Sequence, residues 1–230
     1  MERKTNVLLY FFIFVLLISL LGFFNTYLKF FPHVGKFPYV IHFHFSAFIA
    51  WFFLLITQPI LIKQQRIDLH RKFGKLSYVL APILILTIII LAINQIKREL
   101  SLAENNAAVI AFIALIDILS FSTYFIIAML NSKNLRWHVA FLVAATLVVL
   151  NPGLSRLLNQ IEYGLGMLVA VLLPFVLSIF VICIERIKYK RPILRSPYFL
   201  YLCMLTITIL MFATIPKTEF WINFVNSTFK

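Results

Sequence analysis

Seven stretches of about 20 mostly apolar residues, each long enough to cross a bilayer as a helix, alternate with short polar turns along this chain. They run over roughly 6–27, 39–62, 76–96, 106–130, 137–158, 164–187 and 198–215. The pattern predicts an all-α integral membrane bundle of seven transmembrane helices, forming a single transmembrane domain over 1–230. No loop exceeds about 13 residues, and the tail from Pro216 is too short for a soluble domain. The first stretch has the basic start of a signal peptide, but its apolar run is too long and lacks a small-x-small cleavage site, so it reads as an uncleaved helix. Asn151-Pro152-Gly153 is expected to interrupt the fifth stretch near one end, where neighbours or water must satisfy the freed carbonyls.

Composition strengthens this picture. Hydrophobic residues make up 62% of the chain, with 25 Phe, against about 45–50% in a soluble domain. The net charge of +13 would point to nucleic acid in a soluble protein, but the Lys and Arg lie in short clusters between apolar runs and match no nucleic-acid-binding motif. Their distribution gives an orientation instead. Fourteen of the 21 basic residues fall on the side of the N-terminus and seven on the other, which argues for a cytoplasmic N-terminus and an outside C-terminus. Cys183 and Cys203 sit singly inside apolar runs, as packed thiols. Asn226-Ser227-Thr228 matches a glycosylation acceptor close to the last helix.

Polar side chains inside the apolar runs are the site candidates, because ionisable groups are costly at membrane depth. In the second stretch His44, Trp51 and Gln58 are spaced by seven, drifting about 20° per step, and form one polar stripe, while His42 points the other way. Asp117 falls near mid-bilayer in the fourth stretch, where a carboxylate must be paired, protonated or hydrated. Ser120 and Tyr124 continue its face. His138 and Arg156 share a face of the fifth stretch at opposite membrane edges. Arg156 has two options, reaching inward toward the level of His44 or snorkelling to head groups. His70 lies in the charged turn Leu69-His70-Arg71-Lys72 at the same edge as His138.

On Phe45 to Trp51, Gln58, Leu69-His70-Arg71-Lys72-Phe73-Gly74-Lys75 and Pro152-Gly153-Leu154-Ser155-Arg156, the chain resembles an uncharacterised bacterial multi-pass membrane family, a domain of unknown function in its Bacteroidetes form. The similarity covers about Ile41 to Leu158. Relatives tend to show a His in helix two, a His-Arg-x-x-Gly turn into helix three, and a His-x-Arg-aromatic-Met block entering the helix that ends Pro-x-x-x-Arg. Here that block reads Asn134-Leu135-Arg136-Trp137-His138, with Asn134 in the place of the His and His138 in the place of the Met. The resemblance singles out His44, His70, Arg71, Gly74, Arg136, Pro152 and Arg156, and implies a multi-pass protein of the bacterial cytoplasmic (inner) membrane with no activity attached. Gly74 is expected at a tight helix entry where a side chain would clash.

Three functions fit these residues. In the first, the protein binds or transports a small molecule, ion or lipid. His44, Asp117 and Arg156 then form an outward-facing site, Trp51 and Gln58 line the pocket, and Arg71 and Arg136 grip the phosphates of anionic lipid head groups. In the second it is a redox protein carrying haem b between His70 and His138. In the third it is an accessory subunit whose polar stripes are helix seams and whose membrane protein partner supplies the chemistry. A Ser-His-Asp set, a phosphate-cradling Gly loop and a HExxH zinc site are all missing from the sequence, which disfavours a hydrolase or ATPase.

Overall fold

The computed structural model describes residues 2–102 and 106–229, and among these it is all α. The helices are α1 (Glu2–Phe24), α2 (Tyr39–Lys63), α3 (Ile67–Gly74), α4 (Ser77–Leu100), α5 (Ala107–Leu130), α6 (Leu135–Leu158), α7 (Leu165–Tyr189), α8 (Pro197–Thr214) and α9 (Glu219–Phe229). Seven helical stretches are long and apolar enough to cross a membrane, the third being α3 continued by α4. Their outer faces are the strongest sign of the solvent they meet. Phe53 is 68% exposed and Leu210 62%, and large apolar side chains line the outside of the spans other than α6, where Leu135, at the first residue, is the only large apolar side chain exposed. A surface of this kind is stable against lipid and unstable against water. Of the basic residues in the charge bias, Lys230 and the side chains of Arg3 and Lys4 lie outside what is described.

Three elements depart from the sequence pattern. The turn holding His70 is a short helix, α3, with Asp68 in its first turn and Arg71 and Lys72 in its last; each charge complements the nearer end of the helix dipole. Hydropathy scanning misses it because it is amphipathic rather than apolar. A Schellman-type end separates it from α2: Arg66 N–H bonds the Leu61 carbonyl and Gln65 N–H that of Ile62, with Gln65 at φ 59° where glycine is usual. The second departure is α9, a short helix in the tail beyond the last predicted span. The third is α6, which runs unbroken through Asn151-Pro152-Gly153.

The chain falls into two compact units, Met1–Ile88 with Val149–Gly166, and Ile89–Val148 with Met167–Lys230. In the first, α1 crosses α6 at Gly22, Ser19 and Gly153. A Cβ built on Gly153 lies 2.6 Å from Ser19 Cα, and one on Gly22 would overlap the Gly153 carbonyl. Small residues here let two backbones touch, the usual means of tight helix association in lipid. Gly166 repeats the device against Ser155, whose Cα is 2.7 Å from the added Cβ. Elsewhere in this unit Phe12, Val15, Phe48, Trp51, Phe52, Ala81 and Leu84 are buried. Tyr27 pins the loop between α1 and α2. Its hydroxyl, whose pKa burial raises above the ordinary value, shares a hydrogen bond with His42 Nδ1 at 2.6 Å.

In the second unit buried alanines, Ala128, Ala140, Ala144 and Ala145, leave room for the large rings of Phe121, Tyr124, Phe141 and Tyr201. Trp137 stacks on Phe141 at 5.8 Å. The start of α8 is set by Ser196, whose hydroxyl accepts from Tyr198 N–H at 3.3 Å, followed by Pro197 at the first helical position. Proline there sacrifices no hydrogen bond.

Candidate functional site

The first polar stripe lies in the first unit and faces α4. His44 Nδ1 is 2.7 Å from Thr87 Oγ1, while that hydroxyl also reaches the Ile83 carbonyl at 2.8 Å and the Leu84 carbonyl at 3.0 Å. Thr87 has one proton, and both carbonyls can only accept. With that proton given to the helix, His44 donates through Nδ1 and keeps a lone pair on Nε2. Trp51 is 1% exposed and belongs to the packed interior. At the far end of the stripe, Gln58 Oε1 lies 3.7 Å from a Cβ built on Gly74.

That distance corrects one expectation. An ordinary contact at 3.7 Å means Gly74 does not mark a helix entry too tight for a side chain; α3 simply ends there without crowding. The stripe therefore meets Thr87 at one end and Gly74 at the other, along the seam of α2 with α3 and α4. Thr87→Val should cost about 1 kcal/mol, the worth of one buried neutral hydrogen bond, read as a lowered thermal midpoint in detergent.

Arg156 turns back on its own helix. Its Nη1 donates to the Pro152 carbonyl at 3.0 Å, and its guanidinium sits 4.7 Å from the centroid of the Phe23 ring, a cation–π contact with the end of α1. Arg71 is exposed on α3 beside the exposed Ile67, Leu69 and Phe73. A basic helix with outward apolar side chains is suited to a lipid interface.

The second stripe lies wholly in the second unit. Asp117 stands ten residues into α5, about 15 Å along its axis at 1.5 Å per residue. It is half-buried, and among the described residues its carboxylate has neither a hydrogen bond nor an ion pair. Toward the other end of α5, beyond Ser120 on the same face, Tyr124 is 2% exposed and meets Tyr201 edge-on, ring centroids 5.1 Å apart. This aromatic column crosses from α5 to α8. Asp117 shares its face of α5 with Ser120 and Tyr124 at i+3 and i+7; the partner Tyr201 was invisible in the sequence, because nothing in the spacing of α5 names the helix it packs on.

At the far edge of the same unit Glu185 gathers two arginines. Its Oε1 accepts from Arg136 Nη2 at 2.8 Å and Nε at 3.1 Å, and from Arg191 Nη1 at 3.3 Å. The carboxylate side chain is 12% exposed and the arginines 36% and 41%. The cluster ties α6 to the end of α7. Glu185 was not singled out in the sequence, since a glutamate near a helix end among basic residues reads as solvated. Glu185→Gln should cost about 1–2 kcal/mol, a charge-assisted pair discounted for its exposed partners, visible as a thermal midpoint that falls and loses its salt dependence.

His138 follows Arg136 by two residues on a different side of α6, its Nδ1 2.8 Å from the Ala128 carbonyl. A carbonyl only accepts, so Nδ1 carries the proton and neutral His138 presents a bare Nε2. His70 belongs to the first unit and His138 to the second. Among the described residues no three His, Cys, Asp or Glu side chains are grouped to hold a metal ion.

Fold and surface together define a multi-pass α-helical membrane protein. No protein-family model, curated protein or solved structure matches the chain.

Proposed function

We propose that the protein binds a small cation, the proton being the simplest, at Asp117, and that it works as a transporter or sensor of that ion. The observation that carries this reading is a mid-span carboxylate with no partner among the described residues. A charge at that depth costs about 2.5–3.5 kcal/mol even on the milder insertion scale. A carboxyl persists there when it is protonated or has a cation against it. Ser120 and Tyr124, three and seven residues on, carry hydroxyls on its face of α5. Orientation belongs to the same reading: the basic clusters lie in the cytoplasm of a bacterial cell, the membrane is the cytoplasmic one, and Arg71 of α3 holds an anionic head group.

The experiment is charge displacement in proteoliposomes adsorbed on a solid support, with rapid steps in pH, Na⁺ or K⁺. Wild-type protein gives a transient current with at least one of these ions, and Asp117→Asn, folded in detergent, gives none. A current of equal size in the variant removes Asp117 from the function.

A second reading has one observation behind it. Haem b with His138 as one axial ligand is supported by the tautomer the Ala128 carbonyl imposes, since ligating histidines commonly donate their other N–H to a carbonyl. A Soret band from protein made in a haem-replete host, lost in His138→Ala, would put this reading first; a colourless folded preparation would retire it.

A further inference from the structure

The segment joining α1 to α2 gathers two cations on one ring. Two short 3-10 turns, Leu28–Phe30 and Val34–Lys36, fold it back on itself. Phe30 N–H bonds the Tyr27 carbonyl at 3.1 Å, His33 N–H that of Phe30 at 2.7 Å, and Lys36 N–H that of His33 at 3.3 Å. Lys29 and Lys36 thereby reach the same side chain. Lys36 Nζ is 3.5 Å from the centroid of the Phe30 ring and Lys29 Nζ 5.3 Å. The ring is itself held in place: it meets Phe37 edge-on at 5.6 Å, and Phe37 lies 5.4 Å from the buried ring of Tyr27, which also touches Phe31 and Phe45 at 5.5 and 4.9 Å.

Two ammonium groups on one ring repel each other, and at an exposed site the ring attracts each only weakly. No carboxylate answers them. From Asn25 to Pro38 the sequence holds no Asp or Glu, and the ion pairs among the described residues all belong to Glu185. Glu162, the exposed acid in the turn after α6, pairs with neither lysine. Topology does not account for them either, since both belong to the less basic side of the chain, where the charge bias disfavours Lys. Their depth names the missing anion. α1 ends at Phe24 and α2 begins at Tyr39, so the segment lies at a membrane boundary, and Phe31 at 49% and Tyr39 at 93% exposure give it the aromatic surface of a head-group zone. We infer that Lys29 and Lys36 form a binding site for a phosphate group, that of an anionic lipid in the leaflet at this end of the spans, with Phe30 as its floor. Lysine suits the task as a point charge with rotatable donors. The site belongs to the first unit, at the end of its spans away from α3 and Arg71, and does not rest on Asp117.

Photochemical crosslinking tests it on the full chain in dioleoylphosphatidylcholine vesicles doped with phosphatidylglycerol that carries a diazirine on its head group. Mass spectrometry should map adducts to residues 29–37, severalfold more than from phosphatidylcholine bearing the same diazirine. The double variant Lys29→Gln with Lys36→Gln should lose that excess, and if it does not fold, Lys36→Gln alone reads the nearer cation. Lys97→Gln with Arg98→Gln, which removes the same charge from the end of α4, should keep it. Adducts that survive inorganic phosphate at matched ionic strength assign the site to the head group; adducts that phosphate removes keep the two lysines as the site and make its ligand a soluble phosphate. Equal labelling by the two lipids would overturn the inference. So would a yield that both double variants lower alike, which would show only the general attraction of a basic protein for anionic lipid.

Discussion

Gly153→Ala is expected to abolish the monodisperse protein in detergent, and Gly22→Ala to do the same, although each change adds a good helix former to a membrane span. On helix propensity alone the substitution should help by about 1 kcal/mol. The crossing reverses the sign. The new methyl on Gly153 meets Ser19 Cα at 2.6 Å, and what it meets is backbone, which cannot rotate out of the way as a side chain can. Relief requires α1 and α6 to separate, which unpacks the buried Ser19, Phe12 and Val15. Overpacking of a close-packed interior costs about 1–3 kcal/mol and more where the structure cannot give; we expect the upper end. Gly35→Ala is the matched control, since a Cβ there meets nothing within 4 Å, and it should leave the size-exclusion profile unchanged. A Gly153→Ala protein with the parental thermal midpoint would mean that the two helices do not touch at this point.

Asp117→Leu is expected to act in opposite directions on stability and on function. If Asp117 serves a site, the fold tolerates it at a cost, and replacing it with an apolar residue of similar length recovers part of the roughly 2.5–3.5 kcal/mol charged by the membrane. The thermal midpoint in detergent or lipid should rise, while every response to pH, Na⁺ or K⁺ is lost. Asp117→Asn keeps the shape and the hydrogen-bonding capacity and should lose the response without the gain in stability. Were the residue a helix seam instead, Leu would leave a polar partner unsatisfied and the midpoint would drop. The two substitutions together separate those cases.

The spans were legible because lipid demands long unbroken apolar runs, and neither α5 nor α6 could have met that demand in another form. Amphipathic elements were not. Ile67, Leu69 and Phe73 of α3 alternate with charges, so an average over 18 residues dilutes them into the neighbouring turn, and α9 is too short to register at all. The approach of α1 to α6 was half legible: Gly22 and the Pro152-Gly153 pair stand out in apolar helices, yet nothing in their spacing says that they face each other. Among the polar residues, periodicity correctly put His44, Trp51 and Gln58 on one face but was silent on what that face meets, which is Thr87 at one end and Gly74 at the other. Asp117 was legible for the opposite reason. A lone acid far from the ends of any span needs no partner to be conspicuous, whereas Glu185 draws its meaning entirely from Arg136 and Arg191, which lie 49 and six residues away.

The most direct test of the central claim is modification by dicyclohexylcarbodiimide, which partitions into lipid and reacts with protonated carboxyl groups there. Wild-type protein in phosphatidylcholine vesicles should take up one equivalent, mapped by mass spectrometry to Asp117, more slowly as the pH is raised, and Asp117→Asn should take up none. An Asp117 that stays unmodified at low pH, while Glu185 or another acid reacts, would show a carboxyl sealed into packing rather than open to an ion, and would contradict the account.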